Sequence, residues 1–147
     1  MSEPKKETTY YKDGSVWYES YYIDGKCHRV DGPACIDYYE DGSVSHEGYW
    51  IDGKLHRVDG PAYIDYNEDG SVRYERYYID GEPHRVDGPA RIGYYRDGSV
   101  CSEYYYLDGK EYTKEEYRQE IKEIKELDKA NQLLDPRSWV RELGRTS

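Results

Sequence analysis

Hydrophobic and polar positions alternate over short stretches of this chain, and the stretches end at Asp-Gly pairs. From Ala62 to Tyr66 every second residue is Ala, Ile or Tyr, and the residues between them differ in character. That two-residue period predicts a β-strand with two unlike faces. A second run, from Ser43 to Ile51, is rich in β-formers and lies between two Asp-Gly pairs. Because Gly accepts the positive φ of a tight turn, these pairs predict hairpins.

The same landmarks return every 28 residues. Asp-Gly-Ser-Val begins at Asp13, Asp41, Asp69 and Asp97, and His-Arg-Val-Asp-Gly-Pro-Ala begins at His28, His56 and His84. A fixed period in this range indicates a repeat architecture in which each unit buries its face against its neighbours. We therefore predict a mainly β fold, an elongated antiparallel sheet of tandem 28-residue β-hairpin repeats with a C-terminal helical cap.

Comparing the copies within this one chain separates positions that recur from positions that diverge. Recurring positions must solve the same packing problem in each unit, and they predict a core made of Ile36, Ile64, Ile92, Tyr38, Tyr66 and Tyr94. Other positions change type: Cys35 is replaced by Tyr63 and then by Arg91. The diverging positions are not needed to stack the repeats.

The period stops after Gly109, and helix signals follow. Thr113 with Glu116 three residues later forms a capping-box pattern. Four apolar residues at helical spacing then predict one narrow stripe, formed by Tyr117, Ile121, Ile124 and Leu127. Asp135-Pro136 predicts the start of a second, shorter helix that carries Trp139, Val140 and Leu143. The predicted organisation is a lead-in over 1–9, the repeat domain over 10–112 and the helical cap over 113–147.

Composition changes this picture in two ways. The chain has 20 Tyr, three Trp and no Phe, so the core must be built largely from tyrosine. Its net charge of −10 disfavours direct binding of nucleic acid and favours partners with basic surfaces. The excess acid also serves solubility, and that alternative stays open. No apolar run reaches the roughly 20 residues of a membrane span, and the polar start lacks a signal peptide, so we expect a cytoplasmic protein without membrane attachment.

Candidate sites for metal ions or catalysis have simpler structural interpretations. Two strands per unit would place His28, His56 and His84 roughly 10 Å apart, too far for shared metal ligation. The three cysteines occupy different repeat positions, which suits reduced thiols rather than a disulfide framework. Arg29, Arg57 and Arg85 recur with Asp and Glu residues and predict an ion-pair ladder between repeats. No nucleophile elbow or P-loop is present, so we expect no enzyme, no metal and no cofactor.

The recurring His-Arg-Val-Asp-Gly-Pro-Ala run, with its Asp-Gly-Ser hairpin and Tyr-Tyr-Ile-Asp-Gly-Lys strand end, resembles repeats in proteins of tailed bacteriophages and large DNA viruses. It is also similar to an enlarged MORN repeat. The unit is longer than a MORN repeat and carries Arg29, Arg57 and Arg85 where a MORN Gly is expected. The resemblance implies hairpin architecture and a binding or scaffolding role, and small phage proteins of this kind often disable host machinery.

Together these observations predict a non-enzymatic protein-binding module, of the kind with which a phage or virus inhibits a nucleic-acid-directed host defence enzyme, as anti-CRISPR or anti-restriction proteins do. The predicted binding residues are tyrosines and arginines at diverging positions and carboxylates at the hairpin turns. They are Tyr39, Tyr63, Arg73, Arg91, Tyr95, Glu40, Asp41, Glu68 and Asp69. The alternatives are a protein that sequesters a small signalling nucleotide between repeats and a purely structural scaffold. The sequence leaves the oligomeric state open.

Overall fold

Over the part of the chain that the structure describes, the protein is mainly β, with one helix after the strands. The computed structural model describes residues 2–134. The strands are β1 (Lys5–Tyr10), β2 (Val16–Ile23), β3 (Lys26–Cys27), β4 (Cys35–Tyr38), β5 (Val44–Gly48), β6 (Trp50–Ile51), β7 (Lys54–Leu55), β8 (Tyr63–Tyr66), β9 (Val72–Arg76), β10 (Tyr78–Ile79), β11 (Glu82–Pro83), β12 (Arg91–Tyr94), β13 (Val100–Leu107) and β14 (Lys110–Tyr112). The helix is α1 (Lys114–Leu134).

Strands that follow one another in sequence lie side by side in the main sheet. Its order is β1-β2-β4-β5-β8-β9-β12-β13-β14, with β3 paired to β2. β6 with β7 and β10 with β11 form two separate two-stranded pairs. The predicted antiparallel sheet of hairpins is therefore confirmed, and β1 shows that the sheet begins within the segment predicted as a lead-in.

The run from Ser43 to Ile51, predicted as one strand, is two. It divides at Tyr49, where the main-chain N–H donates to the Ala62 carbonyl while the carbonyl accepts from the His56 N–H. The chain thus stops pairing along the main sheet and begins to pair with its own short arm. The sequence does not reveal this change because Tyr49 and its neighbours are all good β-formers.

Two kinds of tight turn connect the strands. The short arms turn at Asp-Gly pairs in which both residues have positive φ, such as Asp52 at 49° and Gly53 at 78°. These angles belong to a type I′ turn, whose twist matches that of the flanking strands. The longer hairpins turn at Asp-Gly-Ser, where the Ser43 N–H and hydroxyl both donate to Asp41 Oδ1 at 2.8 and 2.6 Å.

The most deeply buried positions are small. Ala34, Ala62 and Ala90 are fully buried, and Ile64 and Ile92 are also buried as predicted. Ile36 and the three predicted core tyrosines, Tyr38, Tyr66 and Tyr94, are only half-buried. Their long side chains keep a polar end near solvent, as when the Tyr94 hydroxyl donates to Glu75 Oε2 at 3.2 Å. The predicted core is therefore correct for Ile64 and Ile92, and it omitted the alanines.

The helix begins with the predicted capping box. The Glu116 N–H donates to Thr113 Oγ1 at 3.2 Å, and the Thr113 N–H donates to Glu116 Oε2 at 3.0 Å. Along the predicted apolar stripe, Tyr117 is buried while Ile124 and Leu127 are exposed. The chain divides into two compact units at Glu111 and Tyr112, and the capping role of the helix stays a prediction.

The second helix, predicted from Asp135-Pro136 onward, lies outside the described residues. Within residues 2–134, α1 carries too many charged residues to cross a membrane.

Candidate binding face of the sheet

The strand register sorts the side chains of the main sheet into rows that cross from strand to strand. One face, which we call the constant face, carries a row in which Glu and Ile alternate. Its members are Glu19, Ile36, Glu47, Ile64, Glu75, Ile92 and Glu103. Because the alternation continues through the central strands, this face presents the same residues at each hairpin.

The opposite face, which we call the variable face, carries two rows that change from one hairpin to the next. The first row contains Ser20, Cys35, Gly48, Tyr63, Arg76, Arg91 and Tyr104. The second row contains Tyr18, Asp37, His46, Asp65, Tyr74, Gly93 and Ser102. The backbone pairing is the same on both faces, so the difference lies in the side chains alone.

The recurring arginines have a structural role. Arg57 lies over the ring of Tyr49, with its guanidinium carbon 3.9 Å from the ring centroid. Its Nε donates to Asp59 Oδ1 at 3.1 Å and its Nη1 to the Pro61 carbonyl at 3.1 Å. A Cβ on Gly60 would come within 3.1 Å of the guanidinium carbon, so the glycine makes room for it. Arg29 and Arg85 make the same contacts.

The predicted arginine ion-pair ladder between repeats is therefore wrong. The Arg57 side chain closes its own loop through Asp59, two residues away. The link to the following unit is made by the main chain, where the Arg57 N–H donates to the Tyr78 carbonyl at 3.2 Å. Short loop geometry explains the difference, because Asp59 is within reach without a second unit.

The recurring histidines join neighbouring arms. His56 Nδ1 accepts a hydrogen bond from the Asp80 main-chain N–H at 3.0 Å, and His28 and His84 do the same with Asp52 and Asp108. The same Nδ1 atoms lie 3.2–3.3 Å from the side-chain Oδ1 of these aspartates, so each histidine contacts both the main chain and the side chain of the next arm. Within residues 2–134, no three or more His, Cys, Asp or Glu side chains are grouped so that they could hold a metal ion.

The predicted tyrosines occupy two different kinds of position. Tyr39 lies in a hairpin turn, where its hydroxyl donates to the Tyr66 carbonyl of the next hairpin at 2.7 Å. Tyr95 holds the corresponding turn position and is 60% exposed. Tyr63 lies in the first row of the variable face, where burial raises its pKa to about 12. Only Tyr63 of the three therefore belongs to the candidate face.

The predicted carboxylates Glu40, Asp41, Glu68 and Asp69 are exposed at the turns. Asp41 Oδ1 already accepts two hydrogen bonds from Ser43, and these bonds hold the pKa of Asp41 below its usual value. Asp69 is held in the same way by Ser71. The glutamates beside them make no such turn bonds, so they are the carboxylates that remain available to a partner.

The two predicted arginines are placed differently. Arg91 lies in the first row, between Arg76 and Tyr104. Arg73 is exposed on β9, with its guanidinium carbon 5.3 Å from the centroid of its neighbour Tyr74. Arg76 and Tyr104 were not predicted, although Arg76 stands where Ser20, Gly48 and Tyr104 stand in other copies. Comparing these four equivalent positions along the sequence would have shown that they diverge and would have identified both residues.

Near the middle of the variable face, a histidine lies between two carboxylates. His46 pairs in register with both Asp37 and Asp65, and its Nε2 is 2.9 Å from Asp65 Oδ1. Burial raises the pKa of Asp37, and His46 opposes that shift. The Ser45 hydroxyl is 2.9 Å from His46 Nδ1. Ser45 is 5% exposed, so the group formed by Ser45, His46 and Asp65 does not present the serine hydroxyl to a substrate.

A shallow cavity of about 400 Å³ opens farther along the same face. Arg76, Arg91, Gly93 and Ser102 line it together with Tyr74, Tyr104, Tyr106 and Glu111. It brings together a predicted residue, Arg91, and several that sequence comparison missed. Searches against protein-family models, curated proteins and solved structures each gave no match to this chain.

Proposed function

We propose that the chain is a non-enzymatic protein-binding module, in which residues 10–112 form tandem 28-residue hairpin repeats. One observation carries the proposal: the constant face keeps its residues from hairpin to hairpin, while the variable face changes them on an unchanged backbone. Packing alone gives no reason for this difference. A surface that contacts another molecule does, because its side chains must match that partner rather than the neighbouring repeat.

The residue types on the variable face support protein binding. Its first row ends in Tyr63, Arg76, Arg91 and Tyr104. Tyrosine and arginine are enriched where binding energy is concentrated, since each offers a large contact area together with polar groups. Tyr104 is 49% exposed and can enter such a contact without unfolding the strand.

The charge of the chain supports a basic partner. The net charge is −10, and Glu40 and Glu68 stand exposed at two successive turns. Opposite charges accelerate association and fix orientation. A basic groove that normally holds nucleic acid fits this description. With the resemblance to viral repeats, it makes inhibition of a nucleic-acid-directed host defence enzyme the specific form of the proposal.

The test is capture of a partner from a host lysate on the immobilised full chain, followed by competition with DNA or RNA. We expect Tyr63→Ala with Arg91→Ala to reduce capture at least tenfold. The matched control is Tyr10→Ala with Arg96→Ala, which removes the same two residue types from exposed positions outside the two rows. Equal capture by both double variants would refute the variable face as the binding surface.

A second measurement tests the acidic turns. Glu40→Gln with Glu68→Gln should weaken binding and reduce its dependence on salt. Glu115→Gln with Glu126→Gln on α1 removes the same charge elsewhere and should leave binding unchanged. A partner that still holds its nucleic acid while bound to the chain would refute inhibition by groove occupation.

A further inference from the structure

Two arginines of the variable face lie directly side by side. Arg76 and Arg91 are register partners on β9 and β12. Partners in an antiparallel pair have Cβ atoms roughly 4.5–5.5 Å apart, and like charges placed so are destabilising. Arg29, Arg57 and Arg85 each pair with an aspartate, whereas Arg76 and Arg91 have no ion-pair partner among residues 2–134. In a chain with ten excess negative charges, this arrangement needs an explanation.

Comparison with the preceding copy shows that three changes coincide here. Arg76 and Arg91 replace Gly48 and Tyr63, while Gly93 replaces Asp65. All of these positions are on the variable face, so the local charge moves from one negative to two positive. The carboxylate that would have neutralised an arginine is thus lost where the arginines appear.

Gly93 lines the cavity at a closely packed point. A Cβ at this position would come within 2.5 Å of Ser102 Oγ, 3.0 Å of Cys101 Sγ and 3.1 Å of Tyr74 Cε1, so the glycine makes room for these side chains. The cavity beside them has a volume of about 400 Å³, within the range for small-molecule sites.

The guanidinium group of Arg91 is held in place by its surroundings. It stands over the Tyr106 ring at 4.9 Å and donates from Nη2 to the Tyr78 hydroxyl at 3.2 Å. Its Nε is buried and makes no hydrogen bond within the described chain. A guanidinium group held in this way loses little freedom when it binds an oxyanion, and this favours affinity. Arg76 beside it lies 5.3 Å from the Tyr63 ring centroid.

Two carboxylates line the same cavity and must be weighed. Glu75 belongs to the constant face, where Tyr94 donates to it, so its charge lies on the other side of the sheet. Burial raises the pKa of the Tyr106 hydroxyl, and Glu111, which interacts with that hydroxyl, adds to the increase. Among the cavity-lining residues, the charges of Arg76 and Arg91 therefore outnumber the one carboxylate that remains to oppose them, that of Glu111.

We propose that this cavity binds the phosphate group of a small phosphate ester, with the flanking tyrosines stacking on a planar ring of the same ligand. Two guanidinium groups match the charge of a phosphate dianion and offer paired donors to its oxygens. Tyr74 and Tyr104 line the same cavity, and aromatic side chains of this kind stack on planar rings. The negative charge of the whole chain opposes a polyanion such as RNA, so the ligand is small. The proposal goes beyond protein binding and does not depend on it.

Isothermal titration of the full chain tests the proposal with three probes, inorganic phosphate, ribose 5-phosphate and adenosine 5′-monophosphate. We expect one site per chain, with the nucleotide bound about tenfold more tightly than ribose 5-phosphate because of stacking. Arg76→Gln and Arg91→Gln should each weaken binding at least tenfold. Arg96→Gln removes the same charge from an exposed turn position outside the cavity and should change binding less than twofold. Glu111→Gln should strengthen binding.

Each contrary result has a defined meaning. Absence of phosphate binding, or equal losses in Arg96→Gln and Arg91→Gln, would overturn the site. Equal affinities for the nucleotide and ribose 5-phosphate would overturn the stacking. If Arg91→Gln lowers the melting temperature, Arg91→Tyr replaces it, because the preceding copy carries Tyr63 at that position. Since no protein partner is present, failure here leaves capture of a partner untouched.

Discussion

The hydroxyl of Tyr39 links one hairpin to the next, and its removal gives a direct measure of that link. The hydroxyl donates to the Tyr66 main-chain carbonyl at 2.7 Å, in a partly buried position. Tyr11 makes the same bond to the Tyr38 carbonyl at 2.6 Å. Tyr39→Phe deletes the donor and keeps the ring, so the packing of the turn is preserved while the Tyr66 carbonyl loses a partner.

The expected cost is about 1 kcal/mol of unfolding free energy, the net value of a typical intramolecular hydrogen bond. The short distance and partial burial place it toward the upper part of the usual range of about 0.5–1.5 kcal/mol. For a unit of this size the loss corresponds to a melting temperature lower by roughly 3–5 °C.

The chain provides its own control and a reverse test. Tyr95 occupies the same turn position, is 60% exposed, and its hydroxyl makes no hydrogen bond within the described residues, so Tyr95→Phe should leave stability unchanged. Asn67 interrupts the series and instead donates to Ser71 Oγ at 2.9 Å. Asn67→Tyr should allow a new bond to the Tyr94 carbonyl and raise stability. Urea and thermal unfolding of all three variants would measure these effects.

Equal unfolding free energies for Tyr39→Phe and Tyr95→Phe would refute the reasoning, because the two variants differ only in whether a hydrogen bond is lost. A decrease for Asn67→Tyr would show that the turn cannot place a phenol over the next hairpin. The first result would mean that the Tyr39 hydroxyl contributes nothing measurable to holding neighbouring hairpins together.

Three further predictions follow from local contacts. Mild oxidation should form a disulfide between Cys27 and Cys35, whose sulfurs are 3.4 Å apart, and raise the unfolding free energy by roughly 2–3 kcal/mol, as measured by mass spectrometry and non-reducing melts. The reaction should accelerate at high pH, because burial raises the pKa of Cys35 to about 12. The hydrogen bonds from Ser43 lower the pKa of Asp41, so the stability that ionised Asp41 contributes is complete above its unfolded-state pKa of about 3.9 and is lost as the pH falls through its folded-state pKa. Ser43→Ala should therefore flatten the decline of the urea midpoint at acid pH. Arg57→Lys loses the planar contact and the bond to the proline carbonyl and should lower the unfolding free energy by about 1–2 kcal/mol in the same melts.

Local signals in the sequence predicted the hairpins, the turns and the start of the helix. Asp-Gly pairs and the Thr113–Glu116 box act over a few residues, so their outcome does not depend on distant contacts. The break at Tyr49 and the burial of Ala34 depend on which strand the chain pairs with next. Propensity carries no information about that choice.

The candidate site shows the same limit. Sequence comparison identified Tyr63 and Arg91 as diverging residues, but comparing equivalent positions of the copies does not show which residues lie beside Arg76 in the sheet. That neighbour is fixed by the register, in which Arg76 lies between Tyr63 and Arg91. A one-residue shift in pairing would have turned these side chains to the other face.

The order of strands also determines how the chain folds. Paired residues are close in sequence: His46 and Asp65 are 19 positions apart, and the partners within each hairpin are nearer still. Closing such short loops costs little entropy, and proteins with local contacts fold faster than β-sandwiches, whose strands pair over long separations. The sheet can therefore form hairpin by hairpin while the chain is being synthesised, each completed hairpin offering an edge on which the next one forms.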